Sequence, residues 1–396
     1  MNAKKWIAIF ICATILALCG LASFNYFADP YGYFTFQSGD YEDINFSFNL
    51  SVVMARQFKA NHVLKFADQY DAYLLGGSKA GSYRAAKLSE LDGYRYYNMF
   101  ESRGNVQEYE IETDFLLKYC DPKKIVISLS GAEVKRLLQD QEDVSFQIPA
   151  VELGTSYVRE YMTYLFKDFF QGLTKIRNRS ATYVEPIPTG ERNIYRLYNR
   201  SYERWVQATE SKVLGEFQEH LRELFTSEAD DPYIPECLDT LERIKKKCDD
   251  AGVELMVIVA PSFIGEIADF ESPAYRDYLV RLALITDYWD FSGYHDIDLN
   301  PWNFYNEGHF FYEVGDAVVD TINGTFSYPG FGTHVTRENA MDHVKQRESD
   351  YLRLKDEYLT TGTIRLQTAE DPSCLVHLPS PADREGSTGL TEETEG

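Results

Sequence analysis

Ser78 and His309 are the two residues whose surroundings suit nucleophilic chemistry. Ser78 sits between Tyr73-Leu74-Leu75-Gly76-Gly77 and Lys79-Ala80-Gly81-Ser82. Tyr73 to Leu75 is an apolar run of strand length. The two glycines let the backbone turn tightly, and Ala80 to Leu88 reads as a helix. A serine between a strand end and a helix start exposes its hydroxyl and keeps its own N–H available to an oxyanion. The strained-turn nucleophile of hydrolases has the same geometry, although the G-x-S-x-G spelling is absent. His309 closes Asn303-Phe304-Tyr305-Asn306-Glu307-Gly308, in a loop just before a helix. Together the pair would carry acyl transfer, with Ser78 attacking an acyl carbon and His309 taking its proton. The group that orients the imidazole stays open. Asn306 is the positional candidate but is neutral; Glu307 and Asp290 could supply charge. Gly104, in the loop Phe100 to Asn105, is the candidate second N–H donor beside that of Ser78.

The elements that must position this pair alternate. After the Ser78 turn come a strand over 94–98, a helix over 106–119 ended by Asp121-Pro122, and the β-branched strand 124–130. Farther on, Leu238, Leu241, Ile244 and Cys248 mark a helix that stops at Ala251-Gly252. Strand 253–260, a helix over 274–286, strand 288–291, a long loop over 292–308 and a helix over 313–322 follow. Strands alternating with helices predict a mostly parallel sheet with helices on both faces. In such a sheet the loops at the carboxyl ends of the strands gather on one rim. A serine early in the chain and a histidine late in it can meet there.

Three segments depart from this rhythm. Trp6 to Phe24 carries no charge and is long enough to span a bilayer. Lys4 and Lys5 before it argue for a cytoplasmic N-terminus and an extracytoplasmic remainder. A cleaved signal peptide ending near Gly20-Leu21-Ala22 is the competing reading; the long apolar run, with no polar stretch after it, favours an uncleaved anchor. Residues 140–235 are rich in aromatics, including Tyr157, Tyr161, Tyr164, Phe166, Phe169, Phe170, Tyr183, Tyr195, Tyr198, Tyr202 and Trp205. They read as a helical insertion packed on the core, with a lid or a sugar-stacking surface as the functional alternative; Val213 to Leu224 is one amphipathic helix in it. After Gly330 a charged helix over 338–358 lies on the domain or the membrane, and 380–396 reads as a disordered tail. A helix over 51–70 precedes the Ser78 strand.

Composition excludes some functions. Asp and Glu number 62 against 39 Lys and Arg, a net charge of −23, which argues against nucleic-acid binding because phosphate contact needs basic patches. The six cysteines include no C-x-x-C pair and no zinc-ligand spacing. His295 has no second histidine at ligand spacing, so no metal or cofactor is expected. Lys79 and Arg103 could meet an anionic substrate, with solvated surface charge the default for both.

On these residues the chain resembles the SGNH/GDSL hydrolases. Gly76-Gly77-Ser78 stands where they carry Gly-Asp-Ser, and Asn306-Glu307-Gly308-His309 where they carry Asp-x-x-His. It is most similar to the membrane-anchored branch that O-acylates bacterial cell envelopes, of the D-alanyl-lipoteichoic acid transfer and alginate O-acetylation type. Asp29-Pro30-Tyr31-Gly32, Ala260-Pro261-Ser262 and Asp290-Phe291-Ser292-Gly293-Tyr294 resemble that branch as well. The chain departs from the pattern at Gly77, at Asn306, and at Ser130-Gly131-Ala132, where the family's oxyanion Asn is not evident. The resemblance implies a flavodoxin-like, three-layer parallel sheet with an α-helical insertion, preceded by one transmembrane helix. It divides the chain into an anchor (1–25), an SGNH-like domain (26–330), a helical extension (331–379) and the tail. It implies a serine esterase or O-acyltransferase acting on an envelope polysaccharide or teichoic-acid-like glycan, beside a membrane-bound O-acyltransferase. A catalytically weak accessory protein is the alternative.

Overall fold

The computed structural model describes residues 3–29, 52–135, 157–166, 169–177, 189–192, 233–300, 303–306 and 308–362, with 149, 152 and 154. Helix α1 (Ala3–Ala28) is followed by α2 (Val52–Lys65), β1 (Ala72–Gly76), α3 (Ala85–Leu88), β2 (Tyr96–Asn98), α4 (Val106–Tyr119) and β3 (Lys124–Leu129). Helices α5 (Tyr157–Phe166) and α6 (Phe169–Arg177) come next, then α7 (Ile234–Ala251), β4 (Glu254–Val259), α8 (Ile264–Phe270), α9 (Pro273–Ile285) and β5 (Tyr288–Asp290). The last elements are β6 (Phe304–Asn306), β7 (His309–Phe310), α10 (Tyr312–Ile322), β8 (Thr333–Val335) and α11 (Ala340–Thr361).

Six strands form one sheet in the order β2-β1-β3-β4-β5-β8. The first five are parallel and β8 runs antiparallel beside β5. Every residue of β1 and β3 is buried, as strands covered on both faces must be, and each centres on an apolar run, Tyr73-Leu74-Leu75 and Ile125-Val126-Ile127. One face carries α2, α4, α7 and α9, packed through residues such as Phe115, Leu116, Leu241, Ile244 and Tyr278. The other carries the segment after Ser78, α8 and α10, through Tyr83, Phe263, Phe291, Phe304 and Val314. The chain is thus a mixed α/β protein with a mostly parallel sheet.

The local code explains the helix ends near the site. Asn105 caps α4 with a full capping box, its side chain accepting from the Glu108 N–H while the Glu108 carboxylate accepts from the Asn105 N–H. Gly252, in the left-handed region, closes α7.

Four stretches differ from the sequence expectation. Residues 80–88 are not one helix: a 3₁₀ turn over Ala80–Ser82 is followed by extended backbone at Tyr83 and Arg84, and only Ala85–Leu88 is α-helical. The Asn98 amide reaches across from β2 and donates to both the Ala80 and Tyr83 carbonyls, taking acceptors that a continuous helix would use. The region 51–70 divides similarly into α2 and a 3₁₀ turn over Ala67–Gln69. The loop 292–308 contains β6, which pairs with β7 to make a small hairpin, so His309 lies on a strand rather than in a loop. The charged C-terminal helix lies on the domain, one of the two places expected for it, with α11 burying Val344, Arg347, Leu354 and Tyr358; the departure is β8 before it, which joins the sheet. Val344 packs in one core and Leu354 in the other, so α11 wraps the sheet edge. Tyr183, Tyr195, Tyr198, Tyr202, Trp205, the helix around 213–224 and the tail 380–396 lie outside the described residues.

Candidate active site

Ser78 follows the end of β1, and the residues before it set the turn. A side chain at Gly76 would come within 2.8 Å of the Ser128 carbonyl and 2.7 Å of Ala80 Cβ. Only a bare Cα lets β1 pass that close to the neighbouring strand and turn. Gly77 meets something different: a Cβ there would lie 3.3 Å from Glu133 Oε1. The Glu133 carboxyl therefore lies directly against the residue before the serine. It is held there by the Ser130 N–H, the Ser130 hydroxyl and the Tyr109 hydroxyl. Burial pushes the Glu133 carboxyl up from the usual range, against the pull of the Ser130 donors and Lys79.

His309 reaches Ser78 from β7. Its Nε2 lies 2.6 Å from Ser78 Oγ, a hydrogen bond spanning 231 residues of sequence. The hairpin is fastened to the nucleophile's own segment. The Ser82 hydroxyl donates to the Phe310 carbonyl at 2.8 Å, and the Tyr83 and Phe310 rings meet edge-on at 5.3 Å. Gly315 lets α10 close against the Ser82 carbonyl, where a Cβ would come within 2.7 Å. Serine and histidine are thus carried by two pieces of chain that pack on each other directly.

The electrostatics favour a neutral imidazole. Burial, then the charges of Arg192 and Lys79, hold His309 well below the usual imidazole range. At neutral pH its ring is therefore unprotonated and able to accept a proton. Lys79 is not a solvated surface charge: it is 6% exposed, and its ammonium is bonded to the Ser262 hydroxyl and the Glu266 carboxylate. Arg192 donates from Nη2 to the Ser78 carbonyl at 3.1 Å and stacks over the Phe100 ring.

Gly104 lines the same cleft. Its N–H donates to the Glu101 carbonyl at 3.3 Å, a long bond, and a Cβ there would strike the Tyr109 ring at 2.9 Å. Arg103 before it is exposed and holds the left-handed conformation, φ 58°, a strained state for a non-glycine residue. Among the described residues no hydrogen bond uses the Ser78 N–H. The cleft has a volume of about 210 Å³ and is lined by Ser78, Lys79, Arg103, Gly104, Glu133 and His309 among others. It opens at the carboxyl ends of β1 and β3, where a parallel sheet gathers its functional loops.

Asn306 pairs with His309 in the β6–β7 ladder; its side chain and Glu307 lie outside the described residues. Asp290 is engaged elsewhere. Its carboxylate accepts from Ser292 and lies 2.8 Å from His343 Nε2. Burial would raise it, but His343 and Arg347 outweigh burial and hold it below the usual range. Arg347 binds Glu271 and the Ser292 carbonyl in the same network. His295 is buried beside Asp298, and burial pushes its ring down to about 4.

Sequence reasoning missed Glu133, Arg192, Ser262 and Glu266 as neighbours of the serine. Glu133 three residues after a strand end was the one legible signal. The others arrive from segments 114 to 187 positions away. Comparison with known proteins adds nothing to this geometry: no family model matches the chain, and no curated protein matches it.

Proposed function

We propose that this protein is a membrane-anchored serine acyl-esterase or O-acyltransferase of the SGNH-like type, acting outside the cytoplasm on a cell-envelope glycan. The observation that carries the reading is the 2.6 Å contact between Ser78 Oγ and His309 Nε2. The strand order β2-β1-β3-β4-β5 supports it, since it is the flavodoxin-like order of doubly wound sheets. Helix α1 is long and apolar enough to cross a membrane, and Lys4 and Lys5 ahead of its apolar run favour an N-terminus on the cytoplasmic side.

In this mechanism Ser78 Oγ attacks the acyl carbon while His309 Nε2 takes the hydroxyl proton. The N–H groups of Ser78 and Gly104 receive the oxyanion, Gly104 leaving its long bond to Glu101. Collapse expels the first alcohol, which regains the proton from His309, and leaves the acyl group on Ser78. A glycan hydroxyl or water then attacks the acyl-serine and gives its proton to His309, which passes it to Ser78 Oγ as the acyl–Oγ bond breaks and the product leaves. The substrate would be an envelope polysaccharide or a teichoic-acid-like glycan, and a membrane-bound O-acyltransferase would be the natural partner to supply acyl groups.

A specific observation favours the alternative, an accessory protein of weak or no turnover. Burial, then Arg192 and Lys79, disfavour the imidazolium through which acyl transfer must pass. Turnover of a nitrophenyl acyl ester by the full chain separates the two. Enzyme action predicts hydrolysis that Ser78→Ala abolishes while thermal stability is retained. Equal turnover by wild type and Ser78→Ala would overturn the serine mechanism, and no turnover by wild type would favour the accessory reading.

A further inference from the structure

The apolar run Trp6–Phe24 has 19 residues. At 1.5 Å per residue it rises about 28 Å, close to the ~30 Å hydrocarbon thickness of a bilayer. Residues 3–20 of α1 are exposed; protein cover begins at Leu21 and Ala22, and Asn25 and Ala28 are buried. The cover comes from α5 and α6. The Phe169 ring lies 4.7 Å from that of Phe24. Gly172 leaves room where a Cβ would meet the Phe24 ring at 2.7 Å and Ala28 at 3.1 Å. The Asn25 amide donates to the Leu165 carbonyl at 3.1 Å. Helices α5 and α6 grip the anchor at the level where the apolar run ends.

These two helices also turn an apolar face outward. Val158, Met162 and Phe166 on α5 follow helical spacing, as do Phe170, Leu173 and Ile176 on α6, and all six are exposed, Phe170 by 79%. Tyr26 and Phe27, the next residues of α1, are exposed as well, in the place where aromatic side chains mark a membrane–water boundary. Left in water, such a patch would favour aggregation.

We propose that α5 and α6 form an interfacial membrane seat, with lipid acyl chains covering their apolar face beside the anchor. The proposal rests on the reading of α1 as a membrane anchor and goes beyond it. The occupant is lipid because the face is continuous with the anchor and lies at the depth where the hydrocarbon ends. The α/β domain is then held to the membrane at two points, so its tilt is fixed, and these rings bind lipid rather than act as a lid.

The test uses the full chain reconstituted alone in vesicles of phosphatidylcholine and phosphatidylglycerol. A photoactivatable diazirine side chain is installed in turn at positions 11, 170 and 352. Ile11 is mid-anchor; Leu352 on α11 is an exposed leucine of the C-terminal helix. Position 170 is expected to yield lipid adducts at a rate comparable to position 11 and roughly tenfold above position 352. Lipid adducts at 11 but not at 170, or protein–protein adducts at 170, would overturn the seat and leave the anchor standing. Lipid adducts at neither 11 nor 170 would overturn both, and equal lipid labelling at 352 would overturn the seat as indiscriminate contact.

Discussion

Removing the charge of Arg192 should move the acid limb of the pH–rate profile upward. Its Nη2 lies 3.1 Å from the Ser78 carbonyl, and the Ser78 hydroxyl lies 2.6 Å from the imidazole. The guanidinium is therefore on the order of 10 Å or less from the ring, where a unit charge at an effective dielectric of about 20 is worth roughly 1–2 kcal/mol. The cleft is open to solvent, so screening leaves about half of that, roughly 0.4–0.7 of a pH unit in the limb. The sign follows from the chemistry. His309 must be neutral to accept the Ser78 proton, and after burial it is Arg192 that holds its pKa down. In Arg192→Met the pKa rises toward the ordinary value, so the ring protonates sooner as pH falls and activity is lost at higher pH than in wild type. Above both pKa values the variant should be no slower, because its base is stronger. Arg192→Lys keeps the charge and should leave the limb in place. The assay is kcat/KM for nitrophenyl ester hydrolysis across pH 4 to 9. A limb that stays put in Arg192→Met, or moves to lower pH, would refute the electrostatic account of His309.

Two further substitutions test the frame that carries the site. Arg347→Ala would leave Glu271 and Asp290 buried without the guanidinium that faces both; the chain should lose about 3–5 kcal/mol in denaturant unfolding, whereas a loss under about 1 kcal/mol would mean that α11 is a peripheral strap. Gly131→Ala should cost about 1–3 kcal/mol, because a Cβ there would lie 2.2 Å from the Phe270 ring and the core must shift to admit it; an unchanged unfolding midpoint would contradict the close packing of the turn after β3 on α8.

The parallel strands were legible because burial on both faces leaves an unbroken apolar run, as in Ile125-Val126-Ile127 and Val257-Ile258-Val259. Helix α4 was legible to the residue, since the loop up to Asn105 and the break at Asp121-Pro122 bound the same Val106–Tyr119 that the fold forms. What sequence could not show was set across the fold. The helix after Ser78 is broken by an amide from β2. Strands β6 and β7 have three and two residues, too short for periodicity to register. Lys79 read as solvated because long charged side chains usually are; its burial rests on a carboxylate 187 positions away. The aromatic insertion was read as packed on the core. Its stretch 189–192 does lie there, Thr189 accepting from the Asn98 N–H and Arg192 donating to the Gly81 carbonyl, whereas α5 and α6 pack on α1, a partner that no local pattern names. Ser78 and His309 were legible as a pair through chain order and flanking glycines, and their separation was not.

The central claim is that Ser78 is a nucleophile activated by His309, and covalent labelling tests it most directly. The full chain is treated with a fluorophosphonate at pH 7.5 and the modified peptide is mapped. The account predicts a single adduct on Ser78, formed about 10²-fold or more slowly in His309→Gln, because a positioned general base contributes at least that much. Modification of a different serine, or labelling of Ser78 at an undiminished rate in His309→Gln, would contradict it.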